Sequence, residues 1–345
     1  MKSGRTERII EYVREHPGAS SSEIASGVGV DVSPATLRRD LAGLVAENGL
    51  VAEGLKKGTR YFLSPTYDIF APVDLETYFE KEIDERTIKP GYNFELLDTL
   101  ADAPLFTPAE HAELATAQQR FLQNISRLTS AEYKKELERL AVDLSWKSSQ
   151  IEGNTYSLLE TERLLMERQT AQGKSLEEAT MLLNHKEALD YIIDNPHYLT
   201  PLSVTKIENI HGILVQDLGV DRNIRTRRVG ITGTNYRPLE NEFQIREALE
   251  GVCRLVNRRT AVFDKALLLL ALISYIQPFN DGNKRTARIV SNAELIANNY
   301  CPISFRTVDS IDYKKAMLLF YEQNNLSAFK RIFIDQFEFA VSTYF

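Results

Sequence analysis

The sequence predicts a mainly α-helical protein: a helical bundle with one small β-hairpin, preceded by a compact module of three helices and a basic hairpin. Apolar residues recur at helical spacing through most of the 345-residue chain. Capping boxes open two of the helices, at Ser20-Ser21-Ser22-Glu23 and Ser175-Leu176-Glu177-Glu178. Alternating stretches next to glycine are confined to residues 50–63 and 229–238. A 43% hydrophobic, 26% charged composition is that of a globular protein. This length suits two or three domains. The expected divisions are 1–65, a linker over 66–94, a helical region over 95–160 and a main body over 161–345.

The first 65 residues read in order. Ile9, Ile10 and Val13 place one apolar face on a helix over 5–15, which His16-Pro17-Gly18 ends. The capping box at Ser20 opens a second helix with Ile24 and Val28 on one face, and a turn follows at 27–31. Ser33-Pro34 supplies an N-cap with proline at the first helical position, for a third helix reaching residue 47. Two strands, 50–53 and 59–63, flank Lys56-Lys57-Gly58. This order resembles the winged helix-turn-helix of bacterial regulators. The resemblance implies DNA as a partner, with the third helix in the major groove. Ser33, Thr36, Arg38 and Arg39 would then face DNA, and Lys56 and Lys57 its backbone. A small helical interaction domain with a solvated charged face fits the same pattern. Nine basic and eight acidic residues make this segment nearly neutral, on a body with 32 basic and 40 acidic residues.

The net charge of −7 argues against a protein that coats nucleic acid along its whole length. Cys253 and Cys301 match no metal or redox spacing and suit a reducing cytoplasm. The charged first residues hold no apolar signal core, and the longest apolar run, 266–276, is too short to span a bilayer. A cytoplasmic protein with no membrane partner is expected. Paired half-sites would suit a homodimer.

Helical periodicity continues over 94–100, 107–129, 131–150, 158–172, 175–195 and 202–218. Residues 229–238 alternate and carry glycines, so a short β-hairpin is expected there. Helices resume over 242–258, 265–276, 284–298, 310–324 and from 327 onward.

The chemistry concentrates at Gln277-Pro278-Phe279-Asn280-Asp281-Gly282-Asn283-Lys284-Arg285-Thr286-Ala287-Arg288. An apolar helix stops at Pro278, Gly282 allows a turn, and Asn283 opens a new helix. A glycine turn feeding a helix N-terminus suits an anion. Arg285 and Arg288 lie about a turn apart and suit phosphate oxygens. Asp281 is placed for Mg²⁺, which needs few protein ligands when it bridges phosphates. The residues alone equally suit a helix–turn–helix bend with a solvated basic face.

This stretch resembles the Fic family motif, His-Pro-Phe-x-Asp/Glu-Gly-Asn-Gly/Lys-Arg-x-x-Arg. The resemblance implies a helical Fic bundle over about 95–345 that binds ATP. It puts Mg²⁺ on Asp281 and the phosphates on Gly282 and Asn283. Phe279, Asn280 and Lys284 join the nucleotide loop, and Phe279 also suits a core anchor. Arg285 would meet the β-phosphate side and Arg288 the γ-phosphate. Ser148-Ser149-Gln150-Ile151-Glu152-Gly153 is similar to the family's inhibitory motif. Through Ser148, Glu152 and Gly153 it implies a glutamate that pairs with Arg288 and displaces the γ-phosphate. By itself Glu152 also reads as a solvated helix-end carboxylate. Val229, Gly230, Ile231, Thr232 and Gly233 resemble the family's flap, which pairs with a target's extended segment; an ordinary surface hairpin reads the same way. Arg225 fits the family pattern as well.

One position departs. The family's histidine takes the proton of a target hydroxyl as it attacks the α-phosphorus of ATP; Gln277 stands there instead. An amide has no usable basicity, and general-base assistance is worth about 10²–10⁴-fold. AMP transfer to a protein hydroxyl is therefore expected to be weak. The alternative is a nucleotide-responsive, DNA-binding regulator.

Overall fold

The computed structural model describes residues 3–29 and 33–345. The end of the expected 27–31 turn and the side chain of Lys57 lie outside the described residues. The chain forms two compact units, one of Met1–Pro72 with Asp98–Ala112, the other of Val73–Leu97 with Glu113–Phe345.

In the first unit α1 (Ser3–Glu15), α2 (Ser21–Gly27) and α3 (Pro34–Ala46) precede β1 (Leu50–Glu53) and β2 (Arg60–Leu63). Ser20 and Glu23 close the expected capping box, and Ser33 caps α3 by accepting from the Thr36 amide. The strands pair antiparallel, Leu50 opposite Leu63 and Glu53 opposite Arg60. Ile9, Val13, Ile24, Leu41 and Leu50 form the core of this unit. Arg5 donates to Asp40 at 2.6 Å, tying α1 to α3. A short α4 (Tyr67–Phe70) follows.

After α5 (Leu75–Glu80) and α6 (Leu96–Ala101) come the long helices α7 (Pro108–Ile125) and α8 (Ser130–Ile151). Then follow α9 (Leu158–Glu167), α10 (Leu176–Asp194), α11 (Val204–Leu214), α12 (Glu242–Arg258), α13 (Val262–Ile276), α14 (Asn283–Ala297), α15 (Ser310–Gln323) and α16 (Ser327–Tyr344). α13 is buried along nearly its whole length, because it is apolar on every side. It packs most extensively on α14, so the loop between them is held from both ends. No helix among the described residues is long and apolar enough to cross a membrane.

Two expectations are corrected. The helix expected over 158–172 stops at Glu167, because Arg168 turns left-handed (φ 58°) and closes it. Residues 229–238 form no β ladder; the only strands among the described residues are β1 and β2. Two of the backbone groups that a ladder would use are engaged by side chains instead. Arg86 donates to the Gly233 carbonyl at 2.7 Å, and the Tyr236 N–H donates to the Thr234 hydroxyl at 3.1 Å; the Asn235 side chain also donates to Asp84 at 2.8 Å.

The stretch expected as a linker is anchored over 73–97 to the second unit. Arg86 pairs with Glu322 at 3.2 Å, both side chains buried, and Tyr78 donates to the other Glu322 oxygen at 2.7 Å. Asn93 donates to Asn324 through its side chain and to the Tyr275 hydroxyl through its backbone.

Candidate functional site

The loop from 277 to 282 is shaped by its two left-handed ends. Gln277 (φ 52°) caps α13, and Gly282 (φ 78°) opens α14. A Cβ at Gly282 would lie 3.3 Å from Val215 and 3.4 Å from His211, so any other residue there would be both left-handed and crowded. No side chain caps α14, which leaves the amides of its first turn without intrahelical acceptors. Phe279 is fully buried and stacks on His211 with ring centroids 3.7 Å apart. Both His211 nitrogens lie against carbonyl oxygens, of Arg222 at 3.0 Å and Asp281 at 2.9 Å. Burial keeps the His211 pKa below its ordinary value, against the pull of those carbonyls. Phe279 and His211 thus support the loop from beneath.

Gln277 is locked in place. Its Nε2 donates to the Ser274 carbonyl at 2.6 Å, and its Oε1 accepts from Asn283 at 3.0 Å. Asn283 in turn bridges both the N–H and the carbonyl of Phe279 at 2.8 Å. Buried Arg225 staples the other side, donating to the Gln277 carbonyl at 2.7 Å while its own N–H donates to the Pro278 carbonyl. Further bonds run from the Arg225 guanidinium to the carbonyls of Arg227 and Leu239.

Glu152 caps the C-terminus of α8 and reaches the start of α14. One carboxylate oxygen accepts from Arg288 Nη2 at 2.8 Å, the other from Lys284 Nζ at 2.9 Å. Ser148, one turn earlier, accepts from Arg288 twice, through its hydroxyl at 2.8 Å and its carbonyl at 3.0 Å. Burial pushes the Glu152 carboxyl up, but the Arg288 and Lys284 charges outweigh it and hold it at about 2. Arg285 donates to the exposed Asp281 carboxylate at 2.8 Å, which leaves its Nε and Nη1 buried without partners. His185 is fully buried with both ring nitrogens unpartnered. Burial, then the Arg288 and Arg285 charges, hold it well below the ordinary histidine range, so it stays neutral.

These groups surround a cleft of about 370 Å³. Its floor is Gln277 and Asn280 to Lys284, and one side is Ile151 and Glu152. Val229 to Thr232 close a second side. The third is one face of α15: Tyr313, Lys314, Met317, Leu318 and Tyr321. The structure therefore brings together Gln277, the glycine turn, Asp281, Lys284 and Glu152. Phe279, Arg285, Arg288 and Gly233 do not line the open cleft; the first three are buried, and Gly233 is drawn to Arg86. In the first unit Arg38, Arg39 and Lys56 are exposed, while Ser33 and Thr36 form the α3 cap.

The α15 wall and the Lys284–Glu152 pair were absent from the sequence reading. The wall had a signal, since Tyr313, Met317 and Tyr321 recur every four residues.

A model of the Fic/DOC family matches residues 201–295. Over 182 residues the chain is 26% identical to a protein adenylyltransferase Fic of Nematostella vectensis, covering 49% of this chain and 40% of that protein. It is 24% identical over 160 residues to the protein adenylyltransferase fic-1 of Caenorhabditis elegans, covering 44% and 31%. The chain thus spans less than half the length of these relatives. A Fic domain containing signaling protein from Bacteroides thetaiotaomicron VPI-5482 superposes with a TM-score of 0.57 at 20% identity, over 67% of this chain and 95% of that one. A segment of C. elegans Fic-1 gives 0.59 at 20% identity, over 68% and 72%. At such identity the structures share the fold. The chain accordingly carries a Fic/DOC-family domain, matched over residues 201–295.

Proposed function

We propose that the cleft binds Mg-ATP and that the chain is a Fic-type nucleotide protein of the protein adenylyltransferase kind, held in a restrained state by Glu152. The observation that carries this reading is the bridge from Glu152 to both Arg288 and Lys284. A carboxylate there occupies two cations suited to a nucleotide's phosphates. The uncapped first turn of α14 and the unpartnered atoms of Arg285 support an anion beside it. Asp281, exposed at the cleft floor, is the carboxylate that would share a Mg²⁺ with the phosphates, an ion that neutralises phosphate charge. Gln277 would take no proton, since both ends of its amide are engaged and amides lack basicity. AMP transfer to a protein hydroxyl then rests on positioning and charge stabilisation alone. The segment 229–232 is the edge at which a target's extended chain would lie.

The test is transfer of label from α-phosphate-labelled Mg-ATP to protein by the Glu152→Gly chain, with and without Gln277→His. Label only with the histidine supports a binding site disabled at its base. Label in both makes the chain a transferase as it stands. No binding of ATP to either variant overturns the reading.

A second reading, a nucleotide-responsive DNA-binding regulator, is favoured by the locked Gln277 and by exposed Arg38 and Arg39 on α3. It requires DNA affinity that changes with ATP; DNA binding that is absent or indifferent to ATP removes it.

A further inference from the structure

Along the cleft wall, α15 places two tyrosines eight residues apart, at opposite ends. Tyr321 has its hydroxyl 3.4 Å from Gln277 Nε2. Tyr313 lies at the Glu152 end, its ring 5.4 Å from the Arg288 guanidinium carbon and edge-on to Phe305 and Phe329. Those contacts account for the ring; phenylalanine would make them equally well. They leave the hydroxyl unexplained. Tyr313 is 0% exposed, and its phenol oxygen lies against the Arg288 guanidinium, a donor, so the proton of the hydroxyl is left without an acceptor. Nη1 of Arg288, unlike Nε and Nη2, meets no carboxylate or carbonyl oxygen and no serine hydroxyl. Buried polar atoms are nearly always paired, because each left unpaired costs free energy. A phenol proton with no acceptor, next to a guanidinium nitrogen with no carboxylate or carbonyl partner, marks a place where an acceptor belongs.

The geometry of Glu152 says what kind of acceptor. A carboxylate has two oxygens, and Glu152 directs one to Arg288 and the other to Lys284. No third oxygen remains for Tyr313. A terminal phosphoryl group carries three. We propose that the Tyr313 hydroxyl is a ligand-binding group, donating with Arg288 Nη1 to the terminal phosphoryl oxygens of a nucleoside triphosphate once Glu152 has withdrawn. This rests on the nucleotide reading of the cleft and deepens it. The hydroxyl is the feature by which this end of the cleft tells a triphosphate from the carboxylate that occludes it and from shorter nucleotides. A neutral donor suits the task. Burial raises the Tyr313 pKa against the opposing Arg288 charge, so the phenol keeps its proton at neutral pH and does not repel the anion.

The experiment is calorimetric titration of the full chain carrying Glu152→Gly, with Tyr313 intact or as Tyr313→Phe, using Mg-ATP, Mg-ADP and AMP in turn. Thermal melts of the same samples without ligand are the control. The expected result is about a tenfold loss of ATP affinity in Tyr313→Phe, the size of one hydrogen bond to a charged group. ADP and AMP affinities stay unchanged, and the melting temperature is equal or higher, because a buried unpaired hydroxyl has been removed. Unchanged ATP affinity overturns the proposal while leaving the nucleotide reading intact. An equal loss for all three nucleotides with a lower melting temperature also overturns it, showing a packing role. Failure of the Glu152→Gly parent to bind any nucleotide removes both.

Discussion

Glu152 Oε1 accepts a hydrogen bond from Arg288 Nη2 at 2.8 Å across 136 residues of chain, with the guanidinium fully buried. The pair joins the end of α8 to the second turn of α14, and Lys284 completes it from the first turn. Removing the carboxylate leaves two like charges together, one of them sealed from water. Glu152→Gln without nucleotide should therefore lose about 3 kcal/mol of stability by denaturant unfolding. A saturating nucleotide should return part of that loss, because its phosphates replace the missing charge.

The pH dependence follows from the depressed Glu152 pKa. The folded value, about 2, lies below the ordinary carboxylate value of 4.5. The contribution is fully present above the ordinary value and is lost as pH falls toward the folded one. The stability gap between the natural chain and Glu152→Gln should be flat over about pH 6–8, narrow below about 4.5, and close near 2. Melts across that range check it; a gap that changes around neutrality would assign the effect to another group.

The loop conformation makes its own prediction at Gln277. Both Gln277→Ala and Gln277→Gly lose the bonds to Ser274 and Asn283. Only alanine keeps a Cβ at φ 52°, a conformation that costs L-residues about 1–2 kcal/mol. Glycine should therefore be the less destabilising of the two by about 1 kcal/mol. The same preference holds at Gly282. Gly282→Ala adds both left-handed strain and a 3.3 Å contact with Val215, and should cost about 1–2 kcal/mol together with nucleotide affinity.

Arg86 restrains the segment 229–233 through the Gly233 carbonyl while neutralising the buried Glu322. Arg86→Met strands that carboxylate and should cost about 3–5 kcal/mol. Arg86→Met with Glu322→Leu should recover most of the stability. The double variant still lacks the bond to Gly233, so amide exchange over 229–233 should quicken in it while α13 stays protected. Unchanged exchange there would show that Arg86 does not hold this segment.

What was legible in the sequence was local. Ser20 with Glu23, Ser175 with Glu178 and Ser33 with Pro34 announce helix starts, because caps are made within four residues. The glycine turn into α14 is equally local, and family resemblance pointed to Glu152 and Arg288 as partners. Tertiary structure decided the rest. Residues 229–238 alternate like a hairpin, yet they form no ladder, and Arg86, 147 residues away, takes the Gly233 carbonyl. Gln277 reads as a missing base; only the fold shows its amide clamped by Ser274 and Asn283. Tyr313 and Tyr321 belong to an ordinary helical stripe until α15 sets them against the loop and Arg288. Backbone propensity and capping act over a few residues, so the sequence by itself determined the elements. Hydrogen bonds between distant side chains depend on how those elements pack, and that packing alone determined which groups face the cleft.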